Sequence, residues 1–151
     1  MTEVLLERNY WNDFADIYLQ REDVSFFTKN ILVVDDDQDF ALYVKKVLSD
    51  IEDLSVDLAI DHSAAWKYLN RKDYDMIVMD IAMPSVNGVD LAKSITEWYR
   101  KGFPIIFVSG NRERRVDLIR KKFNSNHVDF CPKPLDKNFF KLLVKRRINS
   151  W

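Results

Sequence analysis

The stretch Asp75-Met76-Ile77-Val78-Met79-Asp80-Ile81-Ala82-Met83-Pro84-Ser85-Val86-Asn87-Gly88 reads as a strand that ends in a carboxylate. Residues 76–79 form a short apolar run with a β-branched centre, the length expected of a strand buried on both faces of a parallel sheet. Asp80 closes the run. Pro84 disfavours helix at Met83, and Asn87-Gly88 supplies turn chemistry before a helical pattern over 88–100. The carboxylate therefore sits at the C-terminal mouth of a strand, where ligands gather in open α/β sheets, and Asp80 is the first candidate for a reactive side chain. A solvated strand-end aspartate is the plainer alternative, because Asp is common at turns. The rest of the chain decides between them.

Working outward, residues 31–34 (Ile-Leu-Val-Val) form another apolar strand that runs into Asp35-Asp36-Asp37-Gln38-Asp39. From Phe40 the spacing becomes helical through Leu42, Val44, Val47 and Leu48, so the acids lie in the turn that opens a helix. Residues 54–60 alternate as a strand, and a helix over about 63–70 has Ala64, Trp66 and Leu69 as inward contacts. Residues 104–109 make a strand ending in Ser109, residues 111–123 a strongly basic helix, and 127–131 a short strand before Pro132-Lys133-Pro134. Asp136 is placed to cap a last helix carrying Phe139, Phe140, Leu142, Leu143 and Ile148. Five alternations of strand and helix predict an α/β fold, a doubly wound five-stranded parallel sheet with helices on both faces.

Length and composition bound the rest. The chain has 151 residues, 47% of them hydrophobic, which suits one core with an appendage. A single cysteine, Cys131, excludes an internal disulfide framework and a cysteine-rich zinc site and reads as a small core residue. His62 and His127 lack any partner spacing for a metal. No signal peptide or membrane-spanning run is visible, so membrane insertion is not expected and the cytoplasm is the default location. Residues 1–100 carry 10 Lys and Arg against 20 Asp and Glu, whereas residues 101–151 carry 13 against 4. That basic end reads as solvated helix faces or as a partner-binding surface; direct nucleic-acid binding is not expected from clustered cations alone. Residues 1–29 read as an N-terminal amphipathic helical extension, with Val4, Trp11 and Tyr18 seven apart and Tyr10, Phe14 and Ile17 on an overlapping stripe. Its apolar face packs on the domain or, through Trp11, Phe14 and Tyr18, on another molecule. Phe26 and Phe27 would pin the connection to the core. The domain proper is read as 30–151.

In a parallel sheet Asp35, Asp36, Asp80, Ser109 and Lys133 emerge at one edge. Three carboxylates brought together repel unless a cation accompanies them. Oxygen donors of this kind suit magnesium, which takes few carboxylates together with waters and substrate phosphate oxygens. Asp80 can then act as a nucleophile toward a phosphoryl group, giving an acyl phosphate. Lys133 and Ser109 supply the ammonium and the hydroxyl that stabilise the transferring oxygens.

These residues carry a resemblance. Ile-Leu-Val-Val-Asp35-Asp36, Asp80 followed by Met83-Pro84 and Gly88, Ser109 at a strand end, and Lys133-Pro134 together resemble the receiver domain of two-component response regulators over about residues 30–148. The resemblance implies the flavodoxin-like strand order 2-1-3-4-5. It makes Asp80 the phosphoacceptor, Asp36 and Asp80 direct magnesium ligands, Asp35 a ligand through water, and the Ala82 carbonyl the remaining protein ligand. Ser109 and Phe130 become a switch pair, the hydroxyl moving toward the acyl phosphate and the aromatic turning inward. The donor would be a histidine kinase or histidine phosphotransfer protein. A basic output face including Arg112, Arg114, Arg115, Lys137 and Lys141 would meet an acidic target, a second receiver or a second copy as a homodimer.

Several positions depart from the family's pattern: Phe130 lacks a phenolic hydroxyl, Gly110 stands where alanine is usual, Asn126 replaces a glycine, Pro132 precedes Lys133, and Ala82 offers no polar side chain to assist dephosphorylation. The chain is thus read as a single-domain response regulator, a phosphoacceptor that assists its own phosphorylation and dephosphorylation rather than a conventional enzyme. Two alternatives stand beside it. One is a constitutive docking module working through the N-terminal helix; the other is a haloacid-dehalogenase-like phosphatase with Asp35 as nucleophile. An EF-hand reading of Asp35-Asp37-Asp39 fails, because the sixth loop position is Phe40 and the twelfth is Lys46.

Overall fold

The computed structural model describes residues 28–99, 104–110, 116, 119, 121–123 and 127–149. Residues 1–27 of the expected helical extension at 1–29, the pinning by Phe26 and Phe27, and most of the expected helix at 111–123 lie outside those residues; Lys29, expected in the extension, already belongs to the first strand. Within them the chain runs β1 (Lys29–Val34), α1 (Gln38–Leu48), β2 (Leu54–Ala59), α2 (His62–Leu69), β3 (Met76–Asp80), α3 (Gly88–Tyr99), β4 (Ile105–Ser109), β5 (Val128–Pro132) and α4 (Lys137–Asn149). Every neighbouring pair is parallel, in the order β2-β1-β3-β4-β5. This is the doubly wound order expected from the resemblance.

The near-continuous apolar strands follow from burial on both faces. Alternate residues of a strand point to opposite sides. Leu32, Val34, Ile77, Met79, Ile105 and Phe107 enter one core, with α2 and α3, whereas Ile31, Val33, Met76, Val78, Ile106 and Val108 enter the other, with α1 and α4. No position on β3 or β4 is left for solvent. Cys131 is fully buried in the second core, as its type predicts.

Aspartates open three of the helices. Asp37 accepts from the Phe40 N–H at 3.1 Å, Asp61 from Ala64 at 2.7 Å and Asp136 from Phe139 at 2.9 Å, each satisfying an orphan donor of the first turn. Asn87 serves α3 in the same way, through Val89 at 2.8 Å. The inward faces differ from expectation in detail. In α2 the fully buried positions are Ala65 and Leu69, with Ala64 and Trp66 at the margin of the core. In α1 Leu42 is 56% exposed, and Ala41, Val44, Val47 and Leu48 form the buried stripe. Each buried stripe includes one small Ala, Ala41 in α1 and Ala65 in α2.

Gly88 plays a part other than the expected one. No glycine among the described residues has positive φ, so it is not there for a left-handed turn. It opens α3 against the end of β3, where a β-carbon would lie 1.9 Å from the carbonyl oxygen of Asp80. Gly110, by contrast, has nothing among the described residues within 4 Å of an added β-carbon. Gly110→Ala is therefore expected to change unfolding free energy by no more than about 1 kcal/mol, with any change stabilising, as urea titration would show.

Candidate functional site

Parallel pairing carries the ends of β1, β3, β4 and β5 to one edge of the sheet, where the order turns back between β1 and β3. Asp35 continues β1, its N–H donating to the Ala59 carbonyl at 3.0 Å. Asp80 is the last residue of β3, Ser109 of β4, and Lys133 follows β5 directly. The Lys133 N–H donates to the Ser109 carbonyl at 3.0 Å, which ties the two turns together. The Lys133–Pro134 peptide bond is cis.

The side chains converge as the sequence predicts. Asp35, Asp36 and Asp80 each place a carboxylate oxygen within 4.8 Å of the others. Asp35 and Asp80 are buried, at 2% and 5% exposure, whereas Asp36 opens to solvent. Lys133 Nζ donates to Asp35 Oδ2 at 2.9 Å and lies 3.5 Å from Asp80 Oδ1. The other Asp35 oxygen accepts from the Asp37 N–H at 2.9 Å. Asp35 is thus held from two sides, while Asp80 has weaker company.

That imbalance appears in its acidity. Burial, and next the neighbouring Asp35 charge, push the Asp80 carboxyl up to about 6, against the opposing pull of Lys133 and of the Ala82 N–H. Among the described residues, the one ammonium paired with them, that of Lys133, does not compensate three acids. The donor set is all oxygen, compact and open to solvent on the Asp36 side, so a small hard cation fits it. Beside it, a hollow of about 590 Å³ is lined by Asp36 and the turn after β3, including Ala82, Met83 and Ser85. Ala82 is exposed there and brings no polar side chain.

Phe130 and Ser109 share one face of the sheet: Phe130 pairs in register with Phe107, and Ser109 with Pro132. Ser109 is buried; Phe130 is half-buried and packs against the α2 and α3 core. Next to Phe130 lies a second hollow, of about 460 Å³, lined also by Ile119, Phe139 and Leu143. The expected basic face is only partly described. Arg112, Arg114 and Arg115 lie outside the described residues, and Lys137 is exposed. Lys141 pairs with Asp50 at 2.6 Å, beyond the end of α1, so its charge is committed toward α1 rather than the expected face. The helix rotation that decides this is set by Phe140, Leu143 and Val144, the buried stripe of α4.

Two features were not read from the sequence. Asp129 binds both Arg146, at 3.0 Å, and Arg147, fastening β5 to α4. Phe40 places its ring beneath Lys133, with Nζ 4.0 Å from the ring centroid. No local pattern pairs Phe40 with a residue 93 positions away.

The fold and the site define a doubly wound α/β protein with a carboxylate trio and a lysine at the sheet's switch point. The model for the response regulator receiver domain matches residues 31–145, and the chain belongs to that family. It is 27% identical over 107 residues to the response regulator ArlR of Staphylococcus epidermidis, covering 71% of this chain and 47% of that protein. It is 30% identical over 125 residues to the CAI-1 autoinducer sensor kinase/phosphatase CqsS of Vibrio cholerae, covering 82% of this chain and 17% of that protein. The chain therefore spans less than half the length of either relative. Among solved structures, the response regulator protein TrrA of Thermotoga maritima, in complex with Mg²⁺-BeF, superposes with a TM-score of 0.68 at 27% identity, over 80% of this chain and 99% of that one. Among the described residues, no helix is long and apolar enough to cross a membrane.

Proposed function

We propose that this receiver accepts a phosphoryl group on Asp80, with magnesium bound, from the phosphohistidine of a histidine kinase or phosphotransfer protein, and signals through protein contacts. The observation that carries this reading is the buried Asp80 carboxylate at a strand mouth, crowded by Asp35 and faced by Lys133. An Asp80 oxygen attacks phosphorus, an O–P bond forms as the P–N bond to the donor imidazole breaks, and the departing ring nitrogen takes a proton from solvent. Lys133, facing Asp80, would meet the oxygens of the transferring group. Asp35, Asp36, Asp80 and the Ala82 carbonyl would hold the magnesium. When bound, it supplies the positive charge that the carboxylate trio and the phosphoryl oxygens need.

Asp35 suits a positioning acid better than a nucleophile, because both its oxygens are already engaged, and this disfavours the phosphatase reading. Ser109 and Phe130 are the switch residues in this proposal, and the hollow beside Phe130 leaves room for a rearranged ring. Lys137 and the basic segment at 111–123 would belong to the output face, with an acidic protein or a second receiver as partner. The division into an N-terminal extension at 1–29 and a receiver at 30–151 belongs to the same proposal.

The test is intact-mass analysis after incubation with acetyl phosphate and magnesium, and again with a histidine-phosphorylated donor. A phosphate adduct on the native chain that Asp80→Asn lacks is the expected result. Failure of the native chain with both donors would sink the reading, and an adduct kept in Asp80→Asn but lost in Asp35→Asn would favour the phosphatase. Ala82→Asn should hasten loss of the adduct, because it brings a polar side chain to a position that has none. An unchanged decay rate would remove Ala82 from the account.

A further inference from the structure

We infer that Phe40 is a positioning residue for phosphoryl transfer, holding the Lys133 ammonium over its ring so that the amine stays aimed at the Asp80 carboxylate. The inference rests on the receiver reading proposed above. Lys133 has a flexible four-carbon stem, and without anchors its ammonium samples many positions. Three partners fix it: Asp35 at 2.9 Å, Asp80 at 3.5 Å and the Phe40 ring at 4.0 Å from its centroid. The two carboxylates would also be ligands of the cation, so the charge each presents to Lys133 changes as the site fills. The ring does not change.

An aromatic face attracts an ammonium through its quadrupole without a carboxylate's claim on one of its N–H donors. Lys133 can therefore rest on Phe40 and still offer N–H donors to a phosphoryl oxygen. A carboxylate in the same place would spend one of them.

The ring is itself well held. Phe40 lies in the first turn of α1, where its N–H donates to Asp37 Oδ1 at 3.1 Å. It is half-buried and packs against the core between the sheet and α1 and α4. Its other neighbour is Tyr43, with ring centroids 6.4 Å apart. The acid-rich turn after β1 thus supplies both Asp35 and, through the cap at Asp37, the placement of the ring that steadies its lysine.

The experiment compares the native chain, Phe40→Leu and Phe40→Tyr in three measurements. These are the rate of Asp80 phosphorylation by acetyl phosphate, magnesium affinity, and the proton shifts of the Lys133 ε-methylene. Phe40→Leu keeps an apolar side chain without a ring face and should slow phosphorylation about two- to fivefold. Phe40→Tyr should stay within about twofold of native. Magnesium affinity should be the same in all three, since each keeps the same carboxylates and changes only a neutral side chain. The ε-methylene protons should be shifted upfield by the ring in the native chain and in Phe40→Tyr, and not in Phe40→Leu.

A native rate in Phe40→Leu overturns the inference, as does a Phe40→Tyr variant as slow as Phe40→Leu, or the absence of the upfield shift from the native chain. If the native chain takes up no phosphate, the receiver reading fails and this role falls with it. Uptake that Phe40→Leu leaves unchanged removes the role alone.

Discussion

Asp80→Asn is expected to stabilise the metal-free protein by about 1–3 kcal/mol near neutral pH while abolishing phosphate uptake. Burial and the Asp35 charge hold the Asp80 carboxyl up at about 6 in the folded chain. An unfolded aspartate titrates near ~3.9. Below that lower value both states are protonated and ionisation costs the fold nothing. Between the two values the unfolded chain gives up a proton that the folded chain keeps, so stability falls as pH rises. Above about 6 both are ionised and the full penalty is in place. The difference between variant and native chain should therefore open between about pH 4 and about pH 6 and hold constant above. Lys133 also pairs with Asp35, at 2.9 Å in the native chain, so the change should strand no cation. Urea unfolding across that range measures the difference, and a gap independent of pH would show that the Asp80 charge is not its source. Saturating magnesium should narrow the gap, because a ligand that binds only the folded native chain stabilises it.

Gly88→Ala is expected to cost at least about 2–3 kcal/mol of unfolding free energy, at or above the upper end of ordinary overpacking. The added carbon would meet the Asp80 carbonyl oxygen at 1.9 Å, the carbonyl carbon at 2.8 Å and the Ile81 Cα at 2.9 Å. All three are backbone atoms, and no rotamer change can relieve the contact. Relief must come from moving the start of α3 away from the end of β3, which also moves Asp80, the proposed phosphoacceptor. The hydrogen bond from the Gly88 N–H to the Ile81 carbonyl, 2.9 Å long, joins those two segments and would be strained with them. Phosphorylation should therefore fall by about 10²-fold in whatever fraction remains folded, the scale of a misplacement near 1 Å. Gly110→Ala is the internal control, a glycine substitution near the same sheet edge that meets nothing among the described residues. Equal stability losses in the two variants would mean that backbone entropy, and not the close approach, explains Gly88.

Much of the architecture was legible in the residues, for reasons particular to this fold. Strands buried on both faces must be apolar throughout, which makes residues 31–34, 76–79 and 105–108 visible as short runs without any alternation to interpret. The carboxylates Asp35, Asp36 and Asp80, the hydroxyl of Ser109 and the ammonium of Lys133 stand at the ends of those runs. Parallel pairing gathers strand ends at one edge, so this juxtaposition could be inferred before any distance was known. Local hydrogen bonding explains why Asp136 could be read as a cap.

Helix rotation was less legible. Periodicity puts Leu42 on the inward stripe of α1, whereas it is 56% exposed, and charge puts Lys141 on the basic face, whereas it pairs with Asp50; Trp66, expected inward, does pack against the core but is only partly buried. Gly88 was read as a turn residue, since glycine's commonest signal in a sequence is its conformational freedom. Its actual constraint is a carbonyl eight residues earlier, brought close only when α3 docks.

What the amino-acid sequence determined by itself was the strand and helix order and the chemical types standing at the strand mouths, because hydrophobic period and turn chemistry are local properties. Packing decided the acidity of Asp80, the commitment of Lys141 to Asp50, the closeness of Gly88 to Asp80 and the ring beneath Lys133. Each of these depends on desolvation or on a distance of a few ångströms between elements, and those quantities exist only once the sheet and its helices have closed around the site.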